Sequence, residues 1–362
     1  MSKIISVTLD PEDVQKILEN SLQKDSSYRF LKEWLGNGLF VAPVELWKVH
    51  RRVLLPVFHN RIIEEYIDVF GEQGTVLVER MQEQLGKPEF DVFKYITSCM
   101  LDIVFETAMG EKMDVQHNLD TPYLRARSTV ISIIGMRLFK AWMQPDALFK
   151  LTSYSKLQKE NIDLTHKFTD FLKRALFEQH RNAHKEGRRD LLDLLLDREI
   201  KFTDEELREH IDSITIAGND TTALVISYAL QLLGSHPEEQ QRAYDEIQKI
   251  FGDSNRMPTK DDMNKMEFLE RVIKETMRLY TVVPIIGRMT LKELKLSKCT
   301  VPAGVGCGIL SFMMHRSKKI WGPDANYFNP DRFLPEHFKH HNKNFTCVIN
   351  DLEIILRYSI TV

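Results

Sequence analysis

The sequence predicts a mainly α-helical fold with a minor β-sheet. Three observations carry this. Long stretches repeat their apolar residues at helical spacing. Helix starts and stops stand where those stretches need them. Short strands are read only at Lys3–Leu9 and within Met289–Leu310.

Lys3–Leu9 alternates weakly and reads as a short strand. Asp10-Pro11-Glu12-Asp13 opens a helix, with Asp as N-cap, Pro at the first position and acids in the first turn. Leu35-Gly36-Asn37-Gly38 is a turn. Glu45–Phe58 is helical and ends at Pro56, and it places Trp47 and Arg51 on one face. The neighbouring knot of His50, Arg51 and Arg52 reads as a solvated basic face. Arg61–Leu85, Val92–Ala108, Tyr123–Met143 and Ser155–Lys185 all carry helical periodicity. Gly187-Arg188-Arg189-Asp190 breaks the last of these, and Leu191–Leu196 starts a short apolar helix.

The central segment opens at Thr203, which forms a capping box with Glu206, and stops at Gly234 and Pro237. At 1.5 Å per residue it is about 45 Å long, enough to cross a whole domain. Its middle is apolar nearly all round, so it is expected to be buried. That middle also holds Ala217, Gly218, Asn219, Asp220, Thr221 and Thr222. Gly in a helix interior costs about 1 kcal/mol relative to Ala, threonine hydroxyls bend helices, and a buried Asp needs a partner or water. Such a concentration of broken local rules marks either a functional turn or a kinked core helix.

Pro237–Phe251 is another helix, followed by the amphipathic Phe268–Tyr280 with Glu275 and Arg278 three apart. Glu178/Arg181, Glu205/Arg208 and Glu239/Arg242 share that spacing and read as solvated pairs. The pair at 275 differs, because its helix is apolar around it and Pro284 and Arg288 follow closely. Pro302, Gly304, Gly306 and Gly308 punctuate the strand region. Met313–Phe338 is compact and irregular, with Gly322-Pro323-Asp324, Asn329-Pro330 and Pro335. Within it, Arg332 is placed to reach Glu275 and Arg278.

The 362 residues are 43% hydrophobic, enough for a large core in one big domain or two. A net charge of −3 gives no nucleic-acid surface. Cys99, Cys299, Cys307 and Cys347 lie far apart with no zinc spacing, and no apolar run reaches membrane-spanning length. MSKIISVTLD lacks a signal-peptide core. From these features alone the chain reads as cytosolic.

Four pieces in order resemble one family, the cytochrome P450 haem-thiolate monooxygenases. Trp47-x-x-x-Arg51 resembles its haem-propionate helix, and AGNDTT at 217–222 its oxygen-activation groove. Glu275-x-x-Arg278 with Pro284 and Arg288 resembles its signature helix and the strand after it. Phe328-x-Pro330-x-Arg332-Phe333 resembles the segment whose Arg completes a Glu–Arg network. WKVHRRVLLPVF and the HR…WGPDA…FNPDRF run look most like the microsomal fatty-acid-hydroxylase group, known as family 4, and its insect relatives.

The resemblance implies a P450-like helical domain over 1–344, with a non-family tail at 345–362. It implies haem as cofactor, NADPH used through a reductase partner, a lipophilic substrate (fatty acid, hormone or xenobiotic), no nucleic acid and a monomer at the cytosolic face of the endoplasmic reticulum membrane. Asp220 and Thr221 would be catalytic, through proton relay and a hydrogen bond to dioxygen. Trp47, Arg51, Ala217, Gly218 and Arg288 would line or hold the haem. Glu275, Arg278 and Arg332 would form a buried ionic network. In many family-4 enzymes a Glu linked covalently to haem stands where this chain has Ala217.

Two departures are expected to matter. The family's N-terminal anchor and proline-rich hinge precede the point matched by Met1. The haem loop, Phe-x-x-Gly-x-x-x-Cys-x-Gly, fits none of the four cysteines. For Cys347 the required positions hold His340, Lys343 and Ile349. The expectation is therefore a P450-like domain truncated at both ends, with no metal ligand identified, doubtful haem retention and poor solubility. The alternative reading is an incomplete, haem-free product or a lipophilic-ligand binder.

Overall fold

The computed structural model describes residues 5–55, 64–182 and 202–338. Leu191–Leu196, Cys347 and the segment 345–362 lie outside these residues. The elements of ten residues or more are helices, in chain order α1 (Pro11–Asn20), α2 (Val44–Leu54), α3 (Ile67–Gln82), α4 (Val92–Met109), α5 (Pro122–Phe139), α6 (Ser153–Asn182), α7 (Asp204–Ser235), α8 (Pro237–Phe251) and α9 (Glu267–Leu279). The strands are short: β1 (Ile5–Thr8), β2 (Ile286–Met289), β3 (Leu294–Lys295), β4 (Thr300–Val301) and β5 (Gly306–Ile309). The fold is mainly α with a minor β component, as the periodicity predicts.

The start signals act as read. Asp10 caps α1 by accepting from the Glu12 amide at 3.0 Å. Thr203 and Glu206 form the reciprocal box before α7: the Thr203 amide donates to Glu206 Oε2 at 2.8 Å, and the Glu206 amide donates to Thr203 Oγ1 at 3.2 Å. The helix expected over Tyr123–Met143 instead ends at Phe139, and a 3-10 turn covers Ala141–Met143. Met313–Phe338 is not wholly irregular. It contains one-turn helices at Lys318–Trp321 and Pro335–Phe338 and a 3-10 turn at Pro330–Phe333.

The chain forms two compact units. One comprises residues 1–26 and 220–362, the other residues 27–219, with the division inside α7. In the first unit, β5 lies between β1 and β2. Ile5 pairs with Gly306 in parallel, and Arg288 faces Cys307 in antiparallel register. Val14, Ile17 and Leu18 of α1 pack on Ile286, Ile309 and Leu296 behind this sheet. Asp13 is tied to Ser297 through the backbone amide at 2.8 Å and the hydroxyl at 2.7 Å.

In the second unit, Phe30, Trp34 and Leu35 pack with Val130 and Ile134 of α5 and Ile162 of α6. The turn after Leu35 lies against α7. Gly36 has φ +52°, and a Cβ on Gly38 would stand 2.5 Å from the Glu209 carbonyl oxygen. Both positions need glycine, the first for its backbone conformation and the second for the close approach. Among the described residues, no helix is long and apolar enough to cross a membrane.

Candidate functional site

The 217–222 turn stays α-helical throughout. Ala217 is buried at 8% exposure, Asn219 is fully buried, and Gly218, Asp220 and Thr221 are half-buried. A Cβ on Gly218 would meet Val104 Cγ2 of α4 at 3.0 Å, so glycine here admits a close neighbouring helix. Asn219 carries two contacts that sequence reading missed. Its Oδ1 accepts from Arg127 Nη2 of α5 at 2.8 Å, and its Nδ2 donates to the Thr97 carbonyl of α4 at 2.9 Å. Arg127 sits in the polar run Arg125-Ala-Arg127-Ser128, which gives no sign of burial, yet it is only 3% exposed.

Trp47 and Arg51 come together on α2 as their spacing requires. Trp47 is buried, and the Arg51 guanidinium lies 5.2 Å from its ring centroid, within cation–π range. Desolvation lowers the Arg51 pKa. The neighbouring His50 corrects the solvated basic face expected there. It is 4% exposed, and its Nδ1 lies 2.9 Å from His210 Nε2 of α7. Its other ring nitrogen lies 3.5 Å from Glu206 Oε1.

Arg288 lies on β2, 6% exposed, with Nη1 donating to the Gly287 carbonyl at 3.2 Å. Sequence reading missed the cation beside it. Lys24 forms an isolated antiparallel bridge with Arg288. Burial, and then the Arg288 charge, lower the Lys24 pKa to about 7. Arg288, a largely buried guanidinium, offers donor chemistry that fits a carboxylate-bearing cofactor.

Glu275, Arg278 and Arg332 come together as expected. Glu275 and Arg278 are fully buried and form a bidentate pair at 2.6 and 2.7 Å. Arg332 Nε reaches Glu275 Oε1 at 3.5 Å, and its Nη2 donates to Asp324 Oδ2 at 2.8 Å. The Asn329 amide donates to Glu275 Oε1 at 3.0 Å. Arg278 Nη1 donates to the carbonyls of His315 and Ala325, both at 2.6 Å. Of the pairs read as solvated, Arg242 bonds Asp331 at 2.8 Å rather than Glu239.

Burial favours the thiol form of Cys99 and Cys307. Cys99 is buried in α4, its pKa pushed up to about 12 by burial and the Asp102 charge, and its Sγ lies 3.5 Å from the Gln73 carbonyl. Burial raises Cys307 as well. Cys347 lies outside the described residues.

The sequence pattern of the cytochrome P450 family matches residues 1–346. Over 352 residues the chain is 36% identical to cytochrome P450 4c3 of Drosophila melanogaster, covering 91% of this chain and 66% of that protein. It is 34% identical over 344 residues to human cytochrome P450 4V2, covering 90% of this chain and 65% of that protein. With Drosophila melanogaster cytochrome P450 4d2 the identity is 34% over 352 residues, covering 91% and 69%. The chain thus spans about two thirds of the length of the relatives it matches. The ordered motifs, the buried Glu–Arg–Arg network and these matches lead to one conclusion: the chain belongs to the cytochrome P450 family.

Proposed function

We propose that this chain is the haem-binding part of a monooxygenase. It would hydroxylate a lipophilic small molecule (a fatty acid, hormone or xenobiotic) with O₂ and with NADPH-derived electrons from a reductase partner. It would act as a monomer at the cytosolic face of the endoplasmic reticulum membrane. Residues 1–344 would form the P450 domain and 345–362 a tail outside it. The observation that carries this reading is the buried Glu275–Arg278–Arg332 network on a chain whose residues 1–346 match the family.

When bound, the haem would supply O₂ binding; thiolate-promoted O–O cleavage needs an axial cysteine, and none of the four cysteines fits the loop spacing. As the family resemblance implies, Trp47, Arg51 and Arg288 would hold its propionates by charge-assisted hydrogen bonds. Ala217, with only a methyl group, would leave the helix face low enough for a small ligand to approach, whereas the Cβ position of Gly218 faces Val104 of α4. The Thr221 hydroxyl would hold a hydrogen bond at the reacting oxygen, and the Asp220 carboxylate would pass protons to it through water. Glu275, Arg278 and Arg332 would act by holding backbone.

Titration with haem, followed by absorbance, tests the cofactor. Arg51→Met and Arg288→Met should each weaken binding about tenfold or more, since each removes a charge-assisted contact. Unchanged affinity in both would overturn the propionate assignment. In the haem-loaded enzyme with its reductase, Thr221→Ala should release peroxide and lower product formed per NADPH, and unchanged coupling removes Thr221 from the chemistry. Ala217 offers no carboxylate, so haem should leave the polypeptide in acidic organic solvent.

A haem-free binder of lipophilic ligands is the second reading. What favours it is the thiol character of Cys99 and Cys307, together with the absence of the Phe-x-x-Gly-x-x-x-Cys-x-Gly spacing at all four cysteines. Lipophile binding with no haem uptake would support it over the first.

A further inference from the structure

We infer that Arg127 and Asn219 are positioning residues that set the rotation of α7 at the turn carrying Asp220 and Thr221. The inference rests on the monooxygenase reading above for its consequence, but not for its geometry. Successive residues of an α-helix are about 100° apart. Asn219 therefore points about 200° away from Thr221, on the back of the helix as seen from that hydroxyl. The back face is where this turn is gripped.

Asn219 is fully buried and is held from two other helices at once. Arg127 Nη2 of α5 donates to its Oδ1 at 2.8 Å, and its Nδ2 donates to the Thr97 carbonyl of α4 at 2.9 Å. The chemistry fixes the orientation of the amide, because a guanidinium only donates and a carbonyl only accepts. Neither contact survives a flip. One residue earlier, Gly218 lets Val104 of α4 come within 3.0 Å of where a Cβ would be. A Cβ there would crowd Val104 Cγ2, and one of the two would have to give by a few tenths of an ångström. The clamp and the close approach together leave this turn little freedom to roll or slide.

The arrangement also explains the residue type. Aspartate at 219 would keep the bond to Arg127, but it would set a carboxylate oxygen against the Thr97 carbonyl oxygen. Leucine would leave both the Arg127 donor and the carbonyl without the amide between them. Asparagine offers an acceptor on one side and a donor on the other.

The test needs no haem. The full 362-residue chain is prepared with labelled threonine methyl groups, and the spectra of wild type, Arg127→Met and Arg127→Gln are compared. Arg127→Met removes the donor at similar length, whereas Arg127→Gln restores an N–H donor. The expected result is a displaced Thr221 methyl signal in Arg127→Met, with the Thr107 signal unmoved and the wild-type position regained at least in part by Arg127→Gln. Amide exchange at residues 219–223 should be about tenfold faster in Arg127→Met, with residues 228–232 unchanged.

If both variants lower the denaturation midpoint while the Thr221 methyl and the 219–223 exchange match wild type, the contact only stabilises the core and the inference is overturned. Should Arg127→Met fail to fold, Asn219→Ala takes its place, and the same two readouts decide in the same way. Failure of haem uptake would count against the monooxygenase reading and leave these spectra to decide the clamp.

Discussion

Arg278→Lys should destabilise the chain by several kcal/mol although it keeps the charge. Arg278 is fully buried and makes five hydrogen bonds: two to the Glu275 carboxylate, and one each to the carbonyls of His315, Ala325 and Tyr327. A lysine ammonium has three donors and no fork, so at least two of those acceptors lose their partner. A hydrogen bond involving a charged group contributes about 1.5–3 kcal/mol. Two lost bonds therefore cost about 3–6 kcal/mol, against a typical total stability of about 5–15 kcal/mol. The assay is urea unfolding, with the midpoint compared at equal slope. Arg332→Lys serves as the internal contrast. Its main carboxylate partner, Asp324, is half in solvent, and its reach to Glu275 is 3.5 Å, so the loss should be smaller. A fall of less than about 1 kcal/mol for Arg278→Lys, or a larger fall for Arg332→Lys, would refute the argument that the buried fork holds this region.

Gly38→Ala should destabilise by about 1–3 kcal/mol, the usual range for overpacking, because its Cβ would lie 2.2 Å from Ser213 Oγ and 2.5 Å from the Glu209 carbonyl oxygen. Adding Ser213→Ala should not rescue it, since the backbone oxygen remains, and full rescue in unfolding measurements would contradict the geometry. Burial raises the Asp212 pKa to about 7, against an unfolded value near 3.9. The folded state then holds the extra proton between these values, so stability falls as pH rises through that window. Asp212→Asn should therefore gain more stability at pH 8 than at pH 4, and an equal change at both would remove Asp212 from the account. Burial lowers both histidines of the facing pair, His210 to about 3. Their contribution is complete above the unfolded value near 6.5 and is lost as pH falls below it toward the folded values. Replacing His210 with Asn should flatten the fall in urea midpoint between pH 6.5 and 4.5, and an unchanged slope would show that other groups cause it.

The helices were legible because their evidence is local. The caps at Asp10 and Thr203, and the stop after α7, depend on residues within one turn of each other, and they act as read. The exposure of single polar residues was not legible in the same way. His50 sits among Arg51 and Arg52, and only a partner 160 residues later on α7 makes it a core residue. Lys24 has no local feature that joins it to Arg288 across the antiparallel bridge. Arg127 looks like its neighbour Arg125, which is exposed and pairs with Asp120 at 2.9 Å. Two positions apart on one helix, the two arginines face opposite environments, and only tertiary packing separates them.

The Glu-x-x-Arg pair shows what such spacing can and cannot carry. Its counterpart Glu205/Arg208 has the same local form and stays a loose surface contact at 3.6 Å. The difference lies in what surrounds Glu275 and Arg278. The stretch after Ser311 is rich in Gly, Pro, Asn and Asp, so its backbone does not satisfy itself with a continuous helix or sheet ladder. Buried carbonyls still need donors. Arg278 supplies them at His315, Ala325 and Tyr327, and Arg332 does so at Trp321 and Asp324. Glu275 answers from the other side, accepting from the Asn329 amide. The irregular sequence and the buried ion pair are thus one feature. A segment that gives up regular backbone pairing needs forked side-chain donors, and burying those donors needs a carboxylate to balance their charge.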